Sequence, residues 1–163
     1  MTDPKNLTVG VLKGGMSSER PISLKSGKAV ADALRSRGYT VVEIDVGPDT
    51  PAELVAHGID VAWLALHGSF GEDGCIQGLL EIMRIPYTGS GVRASAVAMD
   101  KIATKRVLRG TDVKLLRDWV WRTGEALPSD LVYPIVTKTP NGGSTIGIHI
   151  CKNEAELRSA LAD

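Results

Sequence analysis

Cysteine is nearly absent from this chain of 163 residues. Cys75 and Cys151 lie far apart and form no CxxC pair, so neither a zinc ribbon nor a disulfide framework is indicated. Both thiols are expected to be buried or half-buried in a reducing compartment. Net charge is absent as well: 19 basic side chains balance 19 acidic ones. That balance argues against a general electrostatic grip on nucleic acid or on an anionic membrane. No long apolar run occurs, since the strongest, residues 61–66, is far too short to span a bilayer. The opening Met1-Thr-Asp-Pro-Lys-Asn has neither a basic nor an apolar leader region, so no secretory signal is expected and the chain reads as cytoplasmic. Aromatic residues are few, one Phe, three Tyr and three Trp, whereas glycines number 18. Glycine is thus about 11% of the chain against a usual ~7%, and most of it falls in four short clusters outside any low-complexity run.

Where those clusters lie relative to the regular elements carries the first functional signal. Residues 8–13 read as a short buried strand with Gly10 packed closely, running into Gly14-Gly-Met-Ser-Ser-Glu-Arg20. Residues 22–37 show a helical stripe of Ile22, Ala29, Val30, Ala33 and Leu34 with basic residues opposite, and Gly38 is a natural stop. Residues 39–46 are a second strand. Thr50 and Pro51 open a short helix as N-cap and first helical residue. Residues 61–66 form a third strand, apolar throughout as one covered on both faces should be. Alternating strands and helices with short connections predict a parallel α/β sheet. Ligands of such sheets collect at the carboxyl ends of strands, here the polar, Gly-rich loops after Lys13 and Leu66.

A helix is expected over residues 75–83, an extended segment over 85–91, and further helices over 92–98 and 99–108, ended by Gly110. A boundary divides an N-terminal domain, residues 1–98, from an incomplete second one, residues 99–163. In the second, residues 115–121, 132–138 and 146–151 read as strands, and Asn153 as the cap of a helix over 154–161.

Several loop residues could carry chemistry, each beside a plainer role. Ser17 or Ser18 could cap the first helix. Glu19 suits the helix dipole and equally the ammonium of a small substrate. His67 sits directly after a buried strand, either at the core edge or at a ligand. Glu72 and Asp73 could cap the next helix. Lys101 and Lys105, four apart, share a helix face, as a solvated basic patch or an anion contact. The loop Lys138-Thr-Pro-Asn-Gly-Gly-Ser-Thr-Ile-Gly147 is a tight turn or a phosphate cradle with a lysine at its base. It is no Walker A loop, and no GxGxxG follows the first strand.

Together these segments resemble the D-alanine–D-alanine ligases of the ATP-grasp superfamily. The matching pieces are Leu-Lys-Gly-Gly-Met-Ser-Ser-Glu-Arg-Pro-Ile-Ser-Leu-Lys-Ser-Gly (12–27), Leu-His-Gly-Ser-Phe-Gly-Glu-Asp-Gly (66–74), Ile-Pro-Tyr-Thr-Gly-Ser-Gly-Val-Arg-Ala-Ser-Ala (85–96) and Met-Asp-Lys (99–101). The loop at 139–147 resembles the family's phosphate-covering loop more loosely, and Pro21 stands where an acidic residue is common. The resemblance implies a Rossmann-like, pre-ATP-grasp N-terminal domain followed by the beginning of an ATP-grasp α+β domain. It also implies ATP-dependent joining of two D-alanines for peptidoglycan synthesis. By the same resemblance Glu19 holds the ammonium of the first D-alanine and His67 lies near its carboxylate. Lys101, Lys138, Gly143 and Ser144 meet the ATP phosphates, and Ser144 bonds with Glu19. ATP and Mg2+ serve the full-length family, with metal ligands expected outside this chain. A homodimer through the N-terminal domain is expected, and no activity from these residues alone. The rival expectations are a truncated, non-catalytic binding or dimerisation module, a D-Ala–D-lactate or D-Ala–D-Ser ligase, and a flavodoxin-like nucleotide binder.

Overall fold

The computed structural model describes residues 4–142 and 147–162. The chain divides into two compact units, Met1–Ala98 and Met99–Asp163.

The first unit begins with a 3-10 turn at Pro4–Asn6. It continues through β1 (Thr8–Lys13), α1 (Arg20–Ser36), β2 (Thr40–Asp45), α2 (Thr50–Ala56), β3 (Val61–Leu64), α3 (Cys75–Met83) and α4 (Val92–Met99). The three strands form one parallel sheet in the order β2-β1-β3, with Val9 level with Val41 on one side and Val61 on the other. Alternation along β1 follows from strand geometry. Val9 and Val11 pack with Ala31 of α1 and with Ala65. Leu12 faces the opposite way, among Ile44, Leu54, Ile59, Ala62, Ile76 and Leu80. A central strand covered on both faces is what an uninterrupted apolar sequence prescribes. Gly10 is required by that packing, because a Cβ there would lie 2.8 Å from Ile59 Cγ2. The segment after α3 also joins the sheet edge: Ala62 N donates to Pro86 O at 2.8 Å, and Thr88 N to Ala62 O at 3.0 Å.

Helix α1 follows its expected stripe only in part: Val30 and Leu34 pack against the cluster around Val9 and Val11. Its buried residues are Ser23, Gly27 and Ala31, whereas Ile22 is 59% exposed. These residues recur every four positions on one face, and all are small. A Cβ on Gly27 would stand 2.4 Å from Lys13 Cβ, so the helix approaches β1 too closely for any larger residue. Neither Ser17 nor Ser18 is the N-cap of α1; Glu19 is, and without a side-chain capping bond. The N-cap of α2 is Asp49, while Thr50 is the first helical residue and its Oγ1 accepts from Gly47 N at 2.9 Å.

The second unit holds α5 (Lys101–Leu108), β4 (Ile135–Thr137), β5 (His149–Cys151) and α6 (Glu154–Ala162). β4 and β5 pair antiparallel, Ile135 against Cys151 and Thr137 against His149. Ile135, Cys151 and Leu157 are its buried core. Asn153 caps α6 as expected: its Oδ1 accepts from Glu156 N at 3.0 Å, and Glu156 Oε2 accepts from Lys152 N at 2.7 Å. Residues 115–121 are not a strand. They have no ladder partner, and Leu116 is 85% exposed. Cys151 is buried, but Cys75 is exposed, contrary to expectation.

Among the described residues no helix is long and apolar enough to cross a membrane.

Candidate functional site

The first unit's loops meet at the carboxyl ends of β1 and β3. Gly14 and Gly15 turn the chain out of β1 at φ +73° and +81°, angles that glycine adopts without strain. Arg20 braces this loop from behind. Its guanidinium donates to both Asp45 oxygens at 2.5 Å and to Gly15 O at 3.2 Å. The hydrogen bond from Arg20 holds the Asp45 carboxyl below the usual carboxylate range, against the opposing effect of burial.

The two loops are then stitched together by hydroxyls. Ser17 Oγ donates to His67 O at 2.7 Å and accepts from Glu19 N at 3.2 Å. Ser23, wholly buried, donates to Ala65 O at 2.6 Å. Ser26 Oγ lies 3.4 Å from His67 Nε2. Gly68, at φ +70°, must remain glycine, because a Cβ there would sit 2.8 Å from Glu19 Oε2. The Glu19 carboxylate thus lies over Gly68, the residue that follows His67, and Glu19 and His67 are both half-buried. The pairing suits a small zwitterion, with the carboxylate for an ammonium and the imidazole for a carboxyl group or an N–H.

The loop after β3 is held just as tightly on its far side. Glu72 Oε2 accepts from Gly68 N at 2.7 Å. Asp73 accepts from Phe70 N at 2.8 Å and from Cys75 N at 3.1 Å, which ties the loop to the first turn of α3. Burial pushes the Asp73 carboxyl up, but these N–H bonds outweigh it and the group stays below its ordinary value. Gln77 Nε2 donates to Gly71 O at 2.9 Å.

In the second unit Asp100 caps α5, its Oδ1 accepting from Ile102 N at 2.8 Å and Ala103 N at 2.9 Å. Lys101 then grips the loop after β4: its backbone N donates to Pro140 O at 3.1 Å, and its Nζ to Gly142 O at 2.6 Å. Lys138, exposed, lies just beyond β4 at the base of the same loop. The structure therefore joins Lys101 to the Gly-rich loop, while Gly143 and Ser144 lie outside the described residues. Lys105 is not part of a solvated patch, because its Nζ donates to Leu116 O at 2.8 Å and pairs with Asp118 at 3.1 Å. The broad open depression along β5 and α6 contains none of the candidate residues. Among the described residues no group of three or more His, Cys, Asp or Glu could hold a metal ion.

Ser23 and Ser26 were missed by the sequence reading. Their signal was the interruption of the apolar stripe by small residues at 23, 26 and 27, spaced for one helix face.

Residues 49–90 match the family described as the D-ala D-ala ligase N-terminus. A D-alanine–D-alanine ligase of Geobacter sulfurreducens is 51% identical over 160 residues, covering 96% of this chain and 51% of the relative. That of Desulforudis audaxviator is 48% identical over 160 residues, covering 95% and 52%. The crystal structure of the ligase from Bacillus anthracis superimposes with a TM-score of 0.83 at 37% identity, over 96% of this chain and 53% of that one. The same ligase complexed with ATP gives 0.80 at 36%, over 96% and 54%. The chain spans about half the length of the curated relatives it matches. Across that half, in sequence and in fold, the chain is similar to the D-alanine–D-alanine ligases.

Proposed function

We propose that the chain is the N-terminal portion of a D-alanine–D-alanine ligase and supplies the wall that receives the first D-alanine. The observation that carries this reading is the Glu19 carboxylate lying over Gly68, next to His67. Glu19 holds the ammonium and His67 lies at the carboxyl end. In the second unit Lys101 and Lys138, with Gly143 and Ser144, neutralise and cover the ATP phosphates. The reaction has two steps. The γ-phosphoryl group passes to a carboxylate oxygen of the first D-alanine and ADP departs. The amine of the second D-alanine then attacks the acyl carbon, phosphate leaves and the amine loses a proton. Positioning and charge stabilisation supply most of the rate in phosphoryl transfer, and a labile acyl phosphate needs water kept away. Mg2+ would neutralise phosphate charge in the whole ligase. The product would serve peptidoglycan synthesis in the cytoplasm, with a homodimer formed through the first unit.

The test is a calorimetric titration of the 163-residue chain with D-alanine, alongside Glu19→Gln. An ammonium–carboxylate hydrogen bond is worth about 1.5–3 kcal/mol, so the variant should bind roughly ten to a hundred times more weakly. Equal binding by both proteins would remove Glu19 from this role. No ATP-dependent phosphate release is expected from the chain alone, and its appearance would mean that these residues suffice for catalysis.

A further inference from the structure

The proton inventory of Ser26 fixes a feature of His67. Ser26 Oγ donates to Ile22 O at 2.9 Å within α1. A hydroxyl carries a single proton, and this bond uses it. Toward His67 Nε2, 3.4 Å away, Ser26 can therefore act only as the acceptor. The ring nitrogen facing it must carry the hydrogen.

The backbone that carries the ring is held as well. Ser17 fixes the carbonyl of His67 itself, and the buried Ser23 fixes the carbonyl of Ala65, two residues earlier. The hydroxyls of Ser17, Ser23 and Ser26 thus act on one three-residue stretch.

We propose that Ser26 is a positioning residue for His67: it holds the imidazole with its proton on Nε2 and leaves Nδ1 as the nitrogen that meets the amino-acid substrate. This rests on the reading of His67 as a substrate residue. A neutral ring then offers a lone pair at Nδ1 to an N–H donor, and an imidazolium offers an N–H to a carboxylate. In this role Ser26 acts through the histidine. The same logic applies to histidines bound to metals, where a hydrogen bond at one ring nitrogen selects the role of the other.

The tautomer is directly observable in the 163-residue chain labelled with 15N-histidine. Long-range proton–nitrogen correlation at a pH where imidazoles are neutral distinguishes protonation at Nε2 from protonation at Nδ1. His67→Gln assigns the signal among the three histidines. The parent protein should show His67 protonated at Nε2, Ser26→Ala a mixture of both tautomers, and Ser26→Thr, which keeps the hydroxyl, the parent pattern. A parent His67 protonated at Nδ1 overturns the proposal, and that measurement needs no variant to fold. A Ser26→Ala spectrum identical to the parent overturns it as well. Adding D-alanine to the same sample separates the two layers of the argument. Movement of the His67 Nδ1 signal supports both. If D-alanine moves no histidine signal while the tautomer still follows Ser26, the substrate reading of His67 falls and the tautomer assignment stands.

Discussion

Ser23 is 0% exposed, and its hydroxyl donates to the carbonyl of Ala65 at 2.6 Å. Truncation to alanine leaves that carbonyl without its donor inside the fold, which costs about 1–3 kcal/mol. Ser23→Ala should lower the urea midpoint accordingly, and an unchanged midpoint would mean that the carbonyl finds another donor. At this scale the sequence was partly legible. Glu19 and His67 could be picked out because they follow strands of a parallel sheet, where ligands gather. Ser23 could not, because its role depends on a carbonyl 42 residues away. Ser17 was readable only as a local cap, whereas its hydroxyl instead reaches across 50 residues to His67 O. Gly143 and Ser144 are outside the described residues, and their roles stay proposals.

Among the elements, β1 and β2 are joined by charge as well as by their ladder. Glu43 of β2 pairs with Lys13 of β1 and with Arg35 of α1, the latter at 2.7 Å. The hydrogen bond from Lys13, then that from Arg35, holds its carboxyl below the ordinary 4.5. A carboxyl depressed in the folded state contributes stability above its unfolded value and loses it as pH falls through the folded one. Denaturant midpoints measured from about pH 7 down to about pH 3 should therefore decline once the pH drops below the group's ordinary 4.5. Part of that fall should vanish in Glu43→Gln. Identical slopes would show that the pairs contribute nothing. The strands of this sheet were legible from continuous apolar runs. The failure at residues 115–121 has a physical reason: alternation tells which side chains could share a face, but a strand also needs a neighbour to bond with. Here Leu116 O is taken by Lys105 Nζ. The stripe of α1 held only in part: Val30 and Leu34 pack against the core, but close helix–strand contact favoured Gly27 over any larger apolar residue.

Across the whole molecule the two units rest on unequal cores. The first packs side chains on both faces of its sheet, including the fully buried Leu12, Ile44, Leu54 and Leu80. Among the described residues the second has three buried core residues and a two-stranded sheet, and such a sheet gains little stability alone. Hydrogen exchange followed by mass spectrometry should accordingly show β4, β5 and α6 exchanging before β1, β2 and β3. Equal protection would mean that both units open together. The kinship with the ligases was legible from the clustered loops, because their glycines and carboxylates occur in fixed order. Which hydroxyls hold those loops depends on contacts between residues some 40–50 positions apart. The two thiols, one in each unit, make the unequal cores chemically visible. Cys75 is exposed beside Asp73, whose hydrogen bond, with burial, raises its thiol above the ordinary value. A disulfide reagent reacts with the thiolate, so Cys75 should be modified first, and faster as the medium becomes more alkaline. Cys151, 1% exposed, should follow only as often as its surroundings part. A simple colorimetric titration would then time the breathing of the second unit without any added label.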